Sequence, residues 1–175
     1  MLILSMGLSG IPEAPVAAWE FNSPGEVQPW RANSHMSHVL AENGILACDT
    51  IDWDPFFTYS GAQLATSPTQ FVVLRIRASK AGEGQLFWTA KTEGQYGGFD
   101  PSKVTSFTVE QPEVWQEIVI LPFWHAEGTL RQFRLDLYEG AHFEVDWLRV
   151  YDWAGGAAPA GDTYRWDFDD GGEAW

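Results

Sequence analysis

The chain has 175 residues, a formal charge of −14 and a pI near 4.4, and 15% of it is aromatic, including ten tryptophans. That acidity argues against a nucleic-acid partner, because phosphates need a basic footprint. Hydrophobic residues at 45% and charged residues at 19% exclude general disorder, and no stretch reaches the ~20 apolar residues of a membrane span.

Residues 1–16 carry Gly7, Gly10, Pro12 and Pro15 and read as a leader. As written, they lack the basic start of a signal peptide. The body, 17–153, reads as strands. Short β-prone runs lie near 17–22, 36–41 and 44–48, and the last contains the single cysteine, Cys48, in an apolar setting that predicts a buried small hydrophobe. Phe71–Ala78 is β-branched and aromatic, with a turn expected at Gly82-Glu83-Gly84 before Leu86–Lys91. Val104–Val109, Trp115–Leu121, Leu130–Glu139 and Phe143–Tyr151 follow, each bounded by Gly, Pro or polar residues. No segment carries a sustained helical stripe, so the expected fold is all-β, a two-sheet antiparallel β-sandwich. Residues 154–162, Ala-Gly-Gly-Ala-Ala-Pro-Ala-Gly-Asp, read as a linker.

Alternation assigns faces within strands. Val72, Leu74, Ile76 and Ala78 share one face and Arg75 and Arg77 the other. In 130–139, Phe133, Leu135 and Leu137 oppose Gln132, Arg134, Asp136 and Tyr138. An outer sheet face carrying Arg75, Arg77, Arg134 and Asp136 follows as an expectation.

The sequence also repeats itself. Trp19-Glu20-Phe21-Asn22 returns as Trp166-Asp167-Phe168-Asp169, and each copy is followed by a Gly-containing acidic turn and another Trp, Trp30 or Trp175. The offset from Trp19 to Trp166 is 147 residues, about one compact β domain. The expectation is a tandem array, with 163–175 as the first strand of a second, truncated repeat and neighbouring modules as partners.

The strand series Gly84–Thr89, Val104–Phe107, Trp115–Ile120, Leu130–Asp136 and Phe143–Val150 resembles the jelly-roll carbohydrate-binding modules attached to bacterial secreted glycoside hydrolases and surface proteins. The opening Trp-acid-Phe-Asn is similar to their first strand. The resemblance covers about 17–153 and implies non-catalytic binding of a polysaccharide or other glycan, in a secreted or cell-surface protein. It also implies a structural Ca²⁺ tying the first strand to the last, for which the matching positions are Glu20, Asn22 and Asp146. The alternative reading is a structural spacer or protein-interaction module.

Sugars present flat C–H faces to aromatic rings and hydroxyls to planar polar groups. Three groups of residues suit that chemistry: the strand face with Arg75, Arg77, Arg134 and Asp136; the loop Gln95–Asp100 with Tyr96; and the segment Trp53–Tyr59. Trp88 and the Trp124-His125 pair are further platforms, while Trp19 and Trp115 read as core. With only ten basic residues in the chain, a local arginine face would suit an anionic glycan, unless the arginines pair with acids across the sheet.

Catalytic residues are expected to be none. Glu144-Val145-Asp146 begins a retaining-glucanase pattern, but Leu148 and Arg149 follow where the acid/base is required. His35, His38, His125 and His142 show no metal-ligand spacing, and no Gly-x-Ser-x-Gly elbow exists.

Overall fold

The structure is a computed structural model describing residues 12, 14–23, 25, 27 and 30–153. The linker at 154–162, the second repeat at 163–175 and most of the leader lie outside the described residues.

Eleven strands form two antiparallel sheets among the described residues. They are β1 (Ala17–Trp19), β2 (Trp30–Ala32), β3 (Met36–Glu42), β4 (Ile45–Thr50), β5 (Phe56–Ala65), β6 (Gln70–Ala78), β7 (Gly82–Thr89), β8 (Val104–Val109), β9 (Gln116–Ile120), β10 (Thr129–Asp136) and β11 (His142–Asp152). One sheet runs β3-β4-β11-β6-β9 and the other β2-β5-β10-β7-β8. Strand β1 joins the first sheet by pairing with the C-terminal half of β11, Ala17 facing Val150 and Trp19 facing Leu148. On that side of β11, β4 takes the other half, His142 to Val145. The all-β sandwich expected from the sequence is thus the fold.

Alternation builds the core between the sheets. Val72, Leu74 and Ile76 of β6 meet Leu130, Phe133 and Leu135 of β10, all at most 3% exposed. Cys48 is buried among them, and burial pushes its thiol up to about 12, which leaves it an unreactive thiol. Trp19 seals one end, lying edge-on to Trp30, Tyr59 and Phe133 with ring centres 5.7, 5.2 and 5.5 Å away.

Strands β2 and β5 are additions to the sequence-based reading. In β5, Phe57 is core in one parity and Ala62 and Leu64 in the other, because the chain shifts register beside Gly61, which sits at φ 106°. A phase change inside a strand hides it from a period of two. The turn expected at Gly82-Glu83-Gly84 is instead the start of β7. A Cβ on Gly82 would meet the Tyr138 ring at 2.6 Å, and one on Gly84 the carbonyl oxygen of Asp136 at 2.8 Å. These glycines serve close approach within a sheet rather than chain reversal.

Candidate functional site

Sequence alternation cannot say which sheet a strand joins, and the four charges expected on one face divide. Arg75 and Arg77 stand on β6, on the outside of the six-stranded sheet. Arg134 and Asp136 stand on β10, on the outside of the five-stranded sheet.

The face around Arg134 is a grid of outward side chains in three rows. Pairing of β10 with β5 and β7 places Ser60, Gln132 and Thr89 in one row, Thr58, Arg134 and Phe87 in the next, and Phe56, Asp136 and Gln85 in the third. Arg31 of β2 extends the middle row. From Gln132 to Asp136 the rows span about 14 Å at the usual strand rise.

Arg134 organises the centre. Its Nε and Nη2 donate to Asp136 Oδ1 and Oδ2 at 2.6 and 2.7 Å, a fork on a carboxylate. Nη2 also donates to Asp54 Oδ1 at 2.5 Å. The guanidinium lies 3.8 Å from the centre of the Phe56 ring and 5.4 Å from that of Phe87, so aromatic faces wall it in. Burial lifts the Asp136 carboxyl above its ordinary value; Arg134 opposes that lift and Asp54 adds to it.

Two loops bring aromatics to opposite ends of the grid. The loop before β5 carries Trp53, 66% exposed, with its ring edge-on to His35 at 5.4 Å. That loop is tied down on both sides of Asp54, whose carboxylate takes Arg134 and whose carbonyl accepts from Asn33 Nδ2 at 2.7 Å. The loop after β7 carries Tyr96, 72% exposed, in the short 3₁₀ segment Gln95–Gly98. Gln132 Nε2 donates to the carbonyls of Lys91 and Gly97, both at 2.8 Å, and Thr89 Oγ1 donates to that of Gly98 at 2.9 Å. Gln132 also accepts from Ser60 Oγ at 2.8 Å. One buried glutamine thus clamps the Tyr96 loop onto the sheet. Beneath Tyr96 the loop encloses a cleft of about 240 Å³ lined by Lys91, Gly94, Phe99, Asp100 and Pro101, among others.

The loops that carry Trp53 and Tyr96 are thus both anchored on the face of Arg134 and Asp136, and Arg75 and Arg77 stand on the other sheet. Trp88 is not a platform: it is 4% exposed, shares its parity with Leu86 and packs edge-on to Trp124 inside the sandwich. Trp124, 1% exposed, donates Nε1–H to Gln70 at 2.8 Å and is core too. Trp115, expected in the core, lies on the outer face of the six-stranded sheet with the Arg75 and Arg77 guanidiniums 5.4 and 5.1 Å from its ring centre. Asp54 and Phe56 lie within the segment Trp53–Tyr59 and Gln132 on the outward parity of β10, as expected, whereas Phe87 belonged to no candidate group.

The six-stranded face is paired throughout its arginines. Arg75 lies 3.0 Å from Glu117 and 2.8 Å from Asp146, Arg77 pairs with Glu144, and Arg149 forks onto Glu20 at 2.7 and 3.0 Å. Glu144 and Asp146, the pair that begins a glucanase pattern, are both held this way. The calcium expectation does not fit these residues. The first and last strands do pair, but Glu20 is taken by Arg149 and Asp146 by Arg75, while Asn22 Oδ1 lies against Gly44, 3.0 Å from where a Cβ would stand. A cation there would have to displace two guanidiniums that already supply the positive charge. Among the described residues no cluster of three His, Cys, Asp or Glu side chains is placed to hold a metal, and no helix is long and apolar enough to cross a membrane.

No protein-family model matches the sequence, and no curated protein is significantly similar to it. Solved structures do share its fold. A family 4 carbohydrate-binding module superposes with a TM-score of 0.57 at 11% identity, over 76% of this chain and 96% of that one. A variant of a family 29 carbohydrate-binding module gives 0.50 at 6% identity, over 77% and 91%. A match to PfGH50B gives 0.52 at 8% identity and covers 77% of this chain but 23% of that one. The molecule has the two-sheet sandwich of carbohydrate-binding modules.

Proposed function

We propose that the outer face of the five-stranded sheet binds a polysaccharide chain without cleaving it. The observation that carries this reading is a fixed polar grid centred on Arg134, with a loop bearing an exposed aromatic ring, Trp53 or Tyr96, anchored at each end by hydrogen bonds that need no ligand. Such preorganisation lowers the cost of binding, and rings at two ends suit the repeated flat faces of a sugar chain.

The charge pattern at the centre of this face favours a neutral glycan. Arg134 is already shared by Asp54 and Asp136, and Arg75 and Arg77 are paired on the opposite sheet. The arginines on which an anionic preference was expected, Arg75, Arg77 and Arg134, each already hold a carboxylate. A polysaccharide ligand would place the module outside the cell or on its surface. Binding to a panel of soluble neutral, uronic and sulfated polysaccharides, followed by calorimetry on the best ligand, tests the reading. Retention of at least one neutral glycan, lost on substitution of Trp53 and Tyr96, is expected. Retention of none would favour the spacer or protein-interaction reading.

A further inference from the structure

We propose that Arg31 reads an acidic branch on the bound glycan: the ligand class is a neutral main chain carrying scattered uronic acid side groups, and the Arg31 guanidinium receives the carboxylate of one of them. The inference rests on the reading of the five-stranded face as a glycan site and adds a position at its edge.

Arg31 differs from every other arginine among the described residues. Arg75, Arg77, Arg134 and Arg149 hold carboxylates, and Arg131 donates to Gln63 Oε1 at 2.5 Å. The Arg31 side chain is exposed and has no carboxylate, hydrogen-bond acceptor or aromatic ring against it among the described residues.

Its strand settles its direction. Trp30 is buried and Ala32 packs on the core, so Arg31 between them points out of the sandwich. Register sets it opposite Thr58, which in turn lies opposite Arg134. Strand β2 is fixed without a ligand: Asn33 N donates to the Phe56 carbonyl at 3.0 Å, and Asn33 Nδ2 to that of Asp54 at 2.7 Å.

Position decides what the guanidinium can touch. The loops bearing Trp53 and Tyr96 stand at opposite ends of the grid along the strands, so a chain that spans both runs along β10. Strand β2 is the edge of this sheet, two strands from β10, or about 9.6 Å at the usual strand spacing. At that offset Arg31 stands beside the chain and meets a side group. In the same rows the opposite edge offers Val104 and Ser106 of β8, beside Phe87 and Gln85, and no charge.

Charge sets the class of that side group. A guanidinium presents a planar fork that matches a carboxylate. The protein as a whole, at −14, repels a polyanion, and the centre of the face sets one arginine against two acids. A sparse acidic branch meets Arg31 and spares the centre. A continuous polyuronate would lay carboxylates over Asp54 and Asp136.

The probes are glucuronoxylan, a glucuronate-branched arabinogalactan and xanthan, each native and carboxyl-reduced, a change that removes the charge and keeps the linkages. Calorimetry at low salt gives the ratio of affinities within each pair. On at least one main chain the parent should bind the native form about fivefold tighter than the reduced form, and the preference should fade as salt is added. Arg31→Gln should bring that ratio to about one, Arg31→Lys should keep part of it, and Arg77→Gln, on the opposite sheet, should leave it as in the parent. The Arg31 side chain holds no other group, so the melting temperature of Arg31→Gln should match the parent's. Binding of a reduced form with no preference for its native partner, a preference that survives Arg31→Gln, or one that falls equally in Arg77→Gln would overturn this inference and leave the glycan site standing. Binding of neither form on any main chain would overturn both.

Discussion

The two outer faces of the sandwich use the same residue types to opposite ends. On the six-stranded sheet, the arginines and Trp147 rise from strands, and Trp115 and Glu20 stand one residue beyond the ends of β9 and β1. Each arginine meets a carboxylate on a neighbouring strand and lies over an indole: Arg75 and Arg77 over Trp115, and Arg149 over Trp147 at 4.1 Å. Trp147 is left 9% exposed although it points outward. On the five-stranded sheet one arginine serves two acids from the middle of the face, and the exposed rings stand in loops at its ends. An aromatic in a strand is reached and covered by its cross-strand neighbours; one at a loop tip is not. The position of the ring, more than the presence of charge, separates a sheathed face from the face proposed to bind glycan.

The largest expected effect tests that separation directly. Trp53→Ala with Tyr96→Ala should weaken glycan binding at least ~100-fold, about 2.7 kcal/mol, in calorimetry. Trp115→Ala should leave it unchanged, and equal losses on both faces would break the comparison. The arginines give the next contrast. Arg134→Ala strands a carboxylate at Asp136 that is 9% exposed and should cost about 2 kcal/mol in denaturant unfolding. Arg77→Ala on the sheathed face, where the pair is more open to solvent, should cost about 1 kcal/mol or less.

A smaller effect sharpens the picture at the rim of the six-stranded sheet. Asp49 receives His142 Nδ1 at 2.6 Å and His38 Nδ1 at 2.7 Å, and these hydrogen bonds hold its carboxyl below the ordinary value. A depressed carboxyl stabilises the fold above its unfolded value, near 3.8, and the gain vanishes as pH falls through the folded value. Asp49→Asn should therefore lower the melting temperature slightly at pH 7, and the gap to the parent should close below about pH 4. The smallest expected effect is none at all: chelation with EDTA should leave the melting temperature unmoved, since Glu20 and Asp146 already hold arginines. A shift on chelation would mean that those guanidiniums give way to a cation.

Much of the fold was legible because alternation in β6 and β10 is clean: Val72, Leu74 and Ile76, and Phe133 and Leu135, are core as their parity implies. Membership of a sheet was not legible, since parity separates in from out and says nothing of which sheet a strand joins. That is why Arg77 and Arg134 were expected together. Strand β5 was hidden by its phase change at Gly61, and the glycines of β7 imitated a turn because the ring of Tyr138 and its neighbours press on them. Trp53 and Tyr96 could be found, as aromatics beside turn residues. Trp88 could have been excluded by its parity with Leu86. The clamp by Gln132 could not be foreseen, because it depends on where a loop from another strand lands.

The pairing of β1 with β11 has a mechanical meaning. Ala17 lies opposite Val150, so the chain enters β1 and leaves β11 at the same end of the sandwich. Tension between those two points would load the ladder one bond at a time, from Val16 inward, instead of shearing all its bonds together. A module in a pulled chain would give up its first strand at low force, while β11, still paired along its length with β6, kept the rest of the sandwich closed.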